Sequence, residues 1–249
     1  MPDSVWVTIF GIRTTAQTFA DALSQLTTWS ADPIGRRYVC TCPVYTLMRG
    51  VDDPAVGAAL RHADMVTADG MPLVWVQRHR GFPHAERVYG PDLVWGLCER
   101  TAESPLRHAF WGGLPGIPER MAAVLVKTYP GLHVAGAVSP PVRPLENQPD
   151  AAVITQLNAL NADVLWVGLG SPKQDQFMAL YRPYLTAPLL IGVGAAFDLI
   201  AGVRRQAPRW MQRSGLEWVF RLGQEPRRLW RRYLLYNVRF VWRLWREKP

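Results

Sequence analysis

Short apolar runs alternate with segments of helical spacing along most of the chain, and glycine or proline closes nearly every run. Val5 to Ile9 reads as a first strand ending at Gly11, and Thr15 to Trp29 has helical periodicity through Phe19, Leu23 and Leu26. Arg37 to Cys42 is predicted as a strand, and Pro54 to Ala63 as a helix after the start signal Asp52-Asp53. A short strand at Val66 and Thr67 runs into Asp69-Gly70, while Pro72 to His79 and Pro91 to Glu103 are predicted helices.

Three strand–glycine–helix units follow. His108 to Trp111 leads through Gly112-Gly113-Leu114-Pro115-Gly116 into a helix from Pro118 to Tyr129. Asp163 to Val167 leads through Gly168-Leu169-Gly170-Ser171-Pro172 into a helix from Gln174 to Tyr181. Leu189 to Gly192 leads through Val193-Gly194-Ala195 into a helix that ends at about Ala201. This alternation predicts an α/β fold with a mostly parallel, doubly wound sheet and helices on both faces. Ligands in such folds bind outside the carboxyl ends of the strands, so the glycine loops share one edge with Thr41 and Asp69.

The pattern changes near Arg204. Residues 1–203 read as the body and 204–249 as a basic helical appendage. From Arg204 to Pro249 there are 13 Lys or Arg against 3 Glu, which exceeds the net charge of +8 carried by the whole chain. Five of the eleven Trp lie there too: Trp210, Trp218, Trp230, Trp242 and Trp245. On a wheel from Arg227 to Lys248, the arginines 228, 232, 239, 243 and 246 fall within an arc of about 60°, with apolar residues opposite. Such a helix suits the surface of an anionic membrane. It can also pack on its own domain or on a second subunit, which keeps a homo-oligomer among the expectations. Nucleic acid is not expected, because no recognised binding motif accompanies the charge.

At 249 residues, 49% hydrophobic and 19% charged, the chain has globular values. No uncharged apolar run is long enough to span a bilayer. Met1-Pro2-Asp3-Ser4 has neither a basic nor an apolar leader region, and Cys40, Cys42 and Cys98 make no disulfide framework. A reduced, cytoplasmic protein is expected. No metal signature or hydrolase triad is present.

Gly168-x-Gly170-Ser171-Pro172-Lys173-Gln174 places bare backbone amides before a helix N-terminus, an arrangement that holds phosphate; tight turns use glycine as well. Asp69-Gly70 is either a turn or a carboxylate at a ligand edge, and Asp198 is either a capping group or a pocket residue.

Several blocks in order resemble the WecG/TagA/CpsF family of bacterial glycosyltransferases over nearly the whole chain. They are Val66-Thr67-Ala68-Asp69-Gly70-Met71-Pro72, Tyr89-Gly90-Pro91-Asp92-Leu93 and Gly168-Leu169-Gly170-Ser171-Pro172-Lys173-Gln174-Asp175. Gly192-Val193-Gly194-Ala195-Ala196-Phe197-Asp198, Ala207-Pro208-Arg209-Trp210 and Gly215-Leu216-Glu217-Trp218 continue the series into Arg221 and Glu225-Pro226.

The resemblance implies a Rossmann-like body and a tail that docks on the inner face of the cell membrane. It also implies inverting transfer of an N-acetylmannosamine-like sugar from UDP to a polyprenyl-diphosphate-linked sugar, with no required metal or cofactor. It assigns Asp69 as the base, with Thr41 beside it. Gln174 and Asp198 join the donor pocket with Lys173 and the glycine loops of Gly112, Gly113, Gly168 and Gly170. Arg221, Arg228 and Arg231 match the arginines around the acceptor diphosphate. Many members have Thr-x-Asn where this chain has Thr41-Cys42-Pro43, which removes a candidate sugar contact. The alternatives are a Rossmann oxidoreductase, whose G-x-G-x-x-G is missing, and a non-catalytic adaptor that uses only the tail.

Overall fold

Among residues 5–247, which the computed structural model describes, eight strands form one sheet in the order β1-β2-β4-β3-β8-β7-β5-β6. The N-terminal residues read for a leader, and Lys248 at the end of the tail wheel, lie outside that range. The strands are β1 (Trp6–Ile9), β2 (Ile12–Thr15), β3 (Arg37–Cys42), β4 (Met65–Ala68), β5 (Arg107–Gly112), β6 (His133–Val138), β7 (Val164–Gly168) and β8 (Leu189–Gly192). Only the β1–β2 pair is antiparallel.

The connecting helices are α1 (Phe19–Ser30), α2 (Val44–Asp52), α3 (Pro54–Arg61), α4 (Met71–His79) and α5 (Gly90–Thr101). They continue as α6 (Ile117–Thr128), α7 (Ala151–Ala159), α8 (Lys173–Tyr181) and α9 (Ala196–Ile200). Two apolar layers flank the sheet, as the doubly wound pattern requires. Leu47, Leu60, Phe177 and Met178 pack on one face; Leu23, Leu97, Met121 and Phe197 pack on the other. Strand residues alternate between them: Leu165, Val167 and Leu190 point to the first layer, and Val164, Trp166 and Ile191 to the second.

Four elements go beyond the sequence expectation. β2 returns from β1 through Phe10 and Gly11, whose φ values of 50° and 79° are those of a two-residue hairpin turn. Its polar Arg13, Thr14 and Thr15 hide the strand from a hydrophobic pattern. α2 starts directly at Pro43, and its Leu47 and Met48 are fully buried. β6 is an edge strand of small residues with little apolar signal. α7 buries only Leu157. Helix α1 begins at Phe19 rather than Thr15, because Thr18 and Asp21 close a capping box there.

The tail folds as α10 (Arg209–Arg213), α11 (Glu217–Gln224), α12 (Pro226–Trp230), a π-helical segment Arg231–Leu235 and α13 (Tyr236–Arg246). α13 lies on α2. Phe240 meets Phe10 edge-on at 5.6 Å, and Tyr236 meets Tyr45 at 4.9 Å. Leu229 and Phe240 are buried, each contributing about 1.5–3 kcal/mol of apolar burial. The wheel suits the basic arc to an anionic membrane surface; in the structure part of that arc meets the body. Arg239 forks onto Asp52 at 2.8 Å through both nitrogens, and the Arg232 guanidinium lies 4.3 Å over Tyr45. No helix of the described residues is long and apolar enough to cross a membrane.

Candidate active site

Parallel strands place their carboxyl ends along one edge. Register pairs Thr41 with Thr67, Cys40 with Gly192, Val167 with Gly192, and Gly112 with Gly168, so the loops after β3, β4, β5, β7 and β8 converge. β7 leads back to β8 while β5 leads outward to β6, so connections diverge between β7 and β5, the topological switch where a crevice opens. A cleft of about 430 Å³ lies there, roofed by the tail. That volume is in the small-molecule range.

Close backbone packing shapes the donor-side loops. A Cβ on Gly112 would lie 2.5 Å from the Gly168 backbone, and one on Gly168 would lie 2.5 Å from the Phe197 ring. The Gly113 amide donates to the Gly168 carbonyl at 3.0 Å, tying the two loops together. Gly113, Gly168 and Gly170 line the cleft, whereas Gly112 is not among its lining residues. Gly170 has a φ of +78° and open space around it, so its glycine serves conformation rather than room.

Lys173 and Gln174 open α8 at the cleft wall. Lys173 Nζ donates to the Arg143 carbonyl. Gln174 is fully buried, and neither atom of its side-chain amide has a hydrogen-bond partner. Asp198 lies across from it and pairs with Arg204 at 3.0 Å.

At the other end, Thr41 is buried and donates its hydroxyl to the Gly192 carbonyl at 2.7 Å. Asp69 follows β4, and its amide donates to the Cys42 carbonyl at 3.2 Å. Arg87 Nε donates to the Asp69 carbonyl at 2.6 Å, and a guanidinium nitrogen stands 3.5 Å from Oδ1. Burial pushes the Asp69 carboxyl up to about 7; Arg87 opposes this, Glu217 reinforces it, and Arg221 and Arg232 oppose it. A carboxyl with its side chain 18% exposed, at a cleft floor and titrating near neutrality, suits a general base.

The tail completes the cleft. Arg221, Arg228 and Arg232 line it, together with Arg204. Arg231, which the resemblance places among the acceptor arginines, is exposed and stacks 5.2 Å from the Trp230 ring, outside the cleft. Arg232, one residue on in the π segment Arg231–Leu235, lines the cleft instead. Arg87, Tyr89, Arg204 and Glu217 were not singled out as site residues from sequence. Tyr89 and Glu217 lie inside the motif blocks, while Arg87 carries no local signal. Among the described residues no three His, Cys, Asp or Glu gather at metal-holding separation.

The profile described as the Glycosyl transferase WecG/TagA/CpsF family matches residues 7–249. An N-acetylglucosaminyldiphosphoundecaprenol N-acetyl-beta-D-mannosaminyltransferase of Bacillus spizizenii is 28% identical over 212 residues. That similarity covers 85% of this chain and 80% of the relative.

Proposed function

The chain belongs to the WecG/TagA/CpsF family of glycosyltransferases, and on that basis we propose that it transfers an N-acetylmannosamine-like sugar from UDP to a polyprenyl-diphosphate-linked N-acetylhexosamine. The observation that carries this reading is the position of Asp69 between the glycine loops and the arginines of the tail. The donor lies along Gly113, Gly168, Gly170, Lys173, Gln174 and Asp198, with its anomeric carbon toward Thr41 and Asp69.

Asp69 takes the acceptor hydroxyl proton as that oxygen attacks the anomeric carbon, and the UDP diphosphate leaves from the opposite face. Inversion follows from the single displacement. The leaving diphosphate gains negative charge, and Arg204, Arg221, Arg228 and Arg232 supply positive charge for the two diphosphates without a required metal. Pro43 lines the cleft where many members have Asn, so the sugar loses one candidate amide contact.

The acceptor's lipid calls for a membrane surface. Trp230, Leu234, Val238, Val241 and Trp245 recur at helical spacing and remain 44% to 83% exposed, which supports docking of this stripe on the inner leaflet. The body at 1–203 and the tail from 204 thus act as a nucleotide-sugar unit and a membrane-seated cover. The test is incubation of the full chain with UDP-N-acetylmannosamine and a short-chain polyprenyl-diphosphate N-acetylglucosamine, in the presence and absence of chelator. Mass spectrometry reads the disaccharide and NMR its anomeric configuration. No product with any of a panel of UDP-hexosamines sinks the reading.

A further inference from the structure

The basic tail holds three glutamates, Glu217, Glu225 and Glu247, and each pairs with an arginine: Arg87, Arg204 and Arg80 respectively. Glu217 alone is buried, at 9% exposure. Helix α11 carries it into the wall behind the base. Its Oε2 stands 2.6 Å from Arg87, its Oε1 accepts from the Tyr89 hydroxyl at 3.2 Å, and Arg221 lies 3.9 Å away on the same helix.

Arg87 is fixed from three sides. It lies 3.9 Å over the Tyr89 ring, donates to the Asp69 carbonyl, and stands between two carboxylates, nearer Glu217 than Asp69. Several elements bring charged or titratable groups against Asp69. Cys42 comes from the end of β3, Arg87 and Tyr89 from the segment before α5, Glu217 and Arg221 from α11, and Arg232 from the π segment. Three arginines against one carboxylate would hold it firmly ionised and make it a poor proton acceptor. Glu217 offsets one of these charges at 2.6 Å, closer than the 3.5 Å between Arg87 and the Asp69 carboxylate.

We infer that Glu217 is a positioning residue for the base: seated with the tail, it engages Arg87 and thereby sets the orientation and proton affinity of Asp69. The base is tuned only while the tail is docked, which ties proton transfer to the state in which the acceptor arginines are also in place. This rests on the reading of Asp69 as the base. It differs from a latch, because a latch needs the contact and not the charge. Glu217→Gln keeps an oxygen for Arg87 and a polar partner for Tyr89 while removing the charge.

The experiment is an NMR titration of the full chain labelled with ¹³C at aspartate carboxyls, without substrate. The Asp69 signal is assigned by its loss in Asp69→Asn. Glu217→Gln is expected to lower the Asp69 midpoint by about one pH unit, and the acidic limb of the transfer rate should move with it. Glu217→Asp, which keeps the charge, should restore most of the wild-type midpoint. Glu247→Gln, which breaks the outer pair with Arg80, should leave it unchanged. Limited proteolysis between Ala201 and Pro208 reports whether the tail stays seated. An unmoved Asp69 midpoint in Glu217→Gln with the tail seated overturns the inference. Release of the tail by Glu217→Gln overturns it too, since Glu217 would then be a latch. A shifted midpoint with no transfer to any acceptor would remove the reaction and leave this coupling standing.

Discussion

Replacing Gln174 with Met should stabilise the ligand-free protein and weaken donor binding. The Gln174 side chain is fully buried at the start of α8, with both amide atoms unpartnered. It lies flush against the β8 loop: a Cβ on Gly192 would come within 3.0 Å of Nε2, and one on Gly194 within 3.3 Å of Oε1. An unsatisfied buried polar group costs about 1–3 kcal/mol. Methionine has nearly the same length and shape, and such volume-conserving exchanges cost less than about 1.5 kcal/mol. The expected balance is a gain of about 1–2 kcal/mol. For a chain of this size that raises Tm by about 2–8 °C, at 2–4 °C per kcal/mol. Donor affinity should fall about tenfold to a hundredfold, since the amide hydrogen bonds to the donor are lost. Thermal unfolding without ligand and calorimetric titration with UDP-sugar read the two effects separately. A destabilised Met variant that binds donor normally would show that the amide is a structural strut and that its lack of partners does not mark a ligand site.

Asp69→Asn should lower turnover by roughly 10²–10⁴ while leaving UDP affinity intact. Because the base works ionised and burial raises its carboxyl to about 7, wild-type turnover should level off above that pH and fall as pH drops through it. A wild-type rate flat to pH 5, or an Asn variant near wild-type rate, would remove Asp69 from the mechanism. Arg232→Ala should cut turnover on a water-soluble acceptor analogue by about tenfold or more, whereas Arg231→Ala should leave it nearly unchanged; the reverse pattern would place the diphosphate elsewhere. Changing Trp230, Val238 and Trp245 together to Ser should weaken binding to anionic vesicles by at least about a hundredfold without changing Tm, given about 1.5–3 kcal/mol per buried apolar side chain. Undiminished vesicle binding would return this stripe to a subunit interface.

The parallel core was legible because its strands are mostly apolar runs closed by proline or glycine: Arg37–Cys42, before Pro43, and Leu189–Gly192 coincide with the expected bounds. β2 and β6 were not, since one is polar and the other built of small residues, and each gains its strand state from a neighbour already in place. The edge that gathers Thr41, Asp69 and the glycine loops follows from strand order alone. Arg87 does not. Its role depends on a segment between α4 and α5 folding back over the β4 end, and no spacing rule connects it to Asp69 or Glu217.

The tail shows why a helical wheel misleads where a helix changes pitch. At an even 100° per residue, Arg228, Arg232, Arg239, Arg243 and Arg246 share a face, and packing on the body and docking on a membrane look like rival uses of one helix. The π segment at Arg231–Leu235 spreads those residues around the real axis. Arg228 and Arg232 enter the cleft, Arg239 grips Asp52, and Arg246 stacks 4.5 Å from Trp242. The apolar half divides as well: Leu229 and Phe240 are buried on the body, while Trp230, Leu234, Val238, Val241 and Trp245 stay outside. Packing and exposure therefore coexist on one helical run. The residues that seat the tail on the body differ from those left free for a surface beyond it, and of the five arginines that an isolated wheel assigns to lipid headgroups, Arg228 and Arg232 line the cleft while Arg239 pairs with the body.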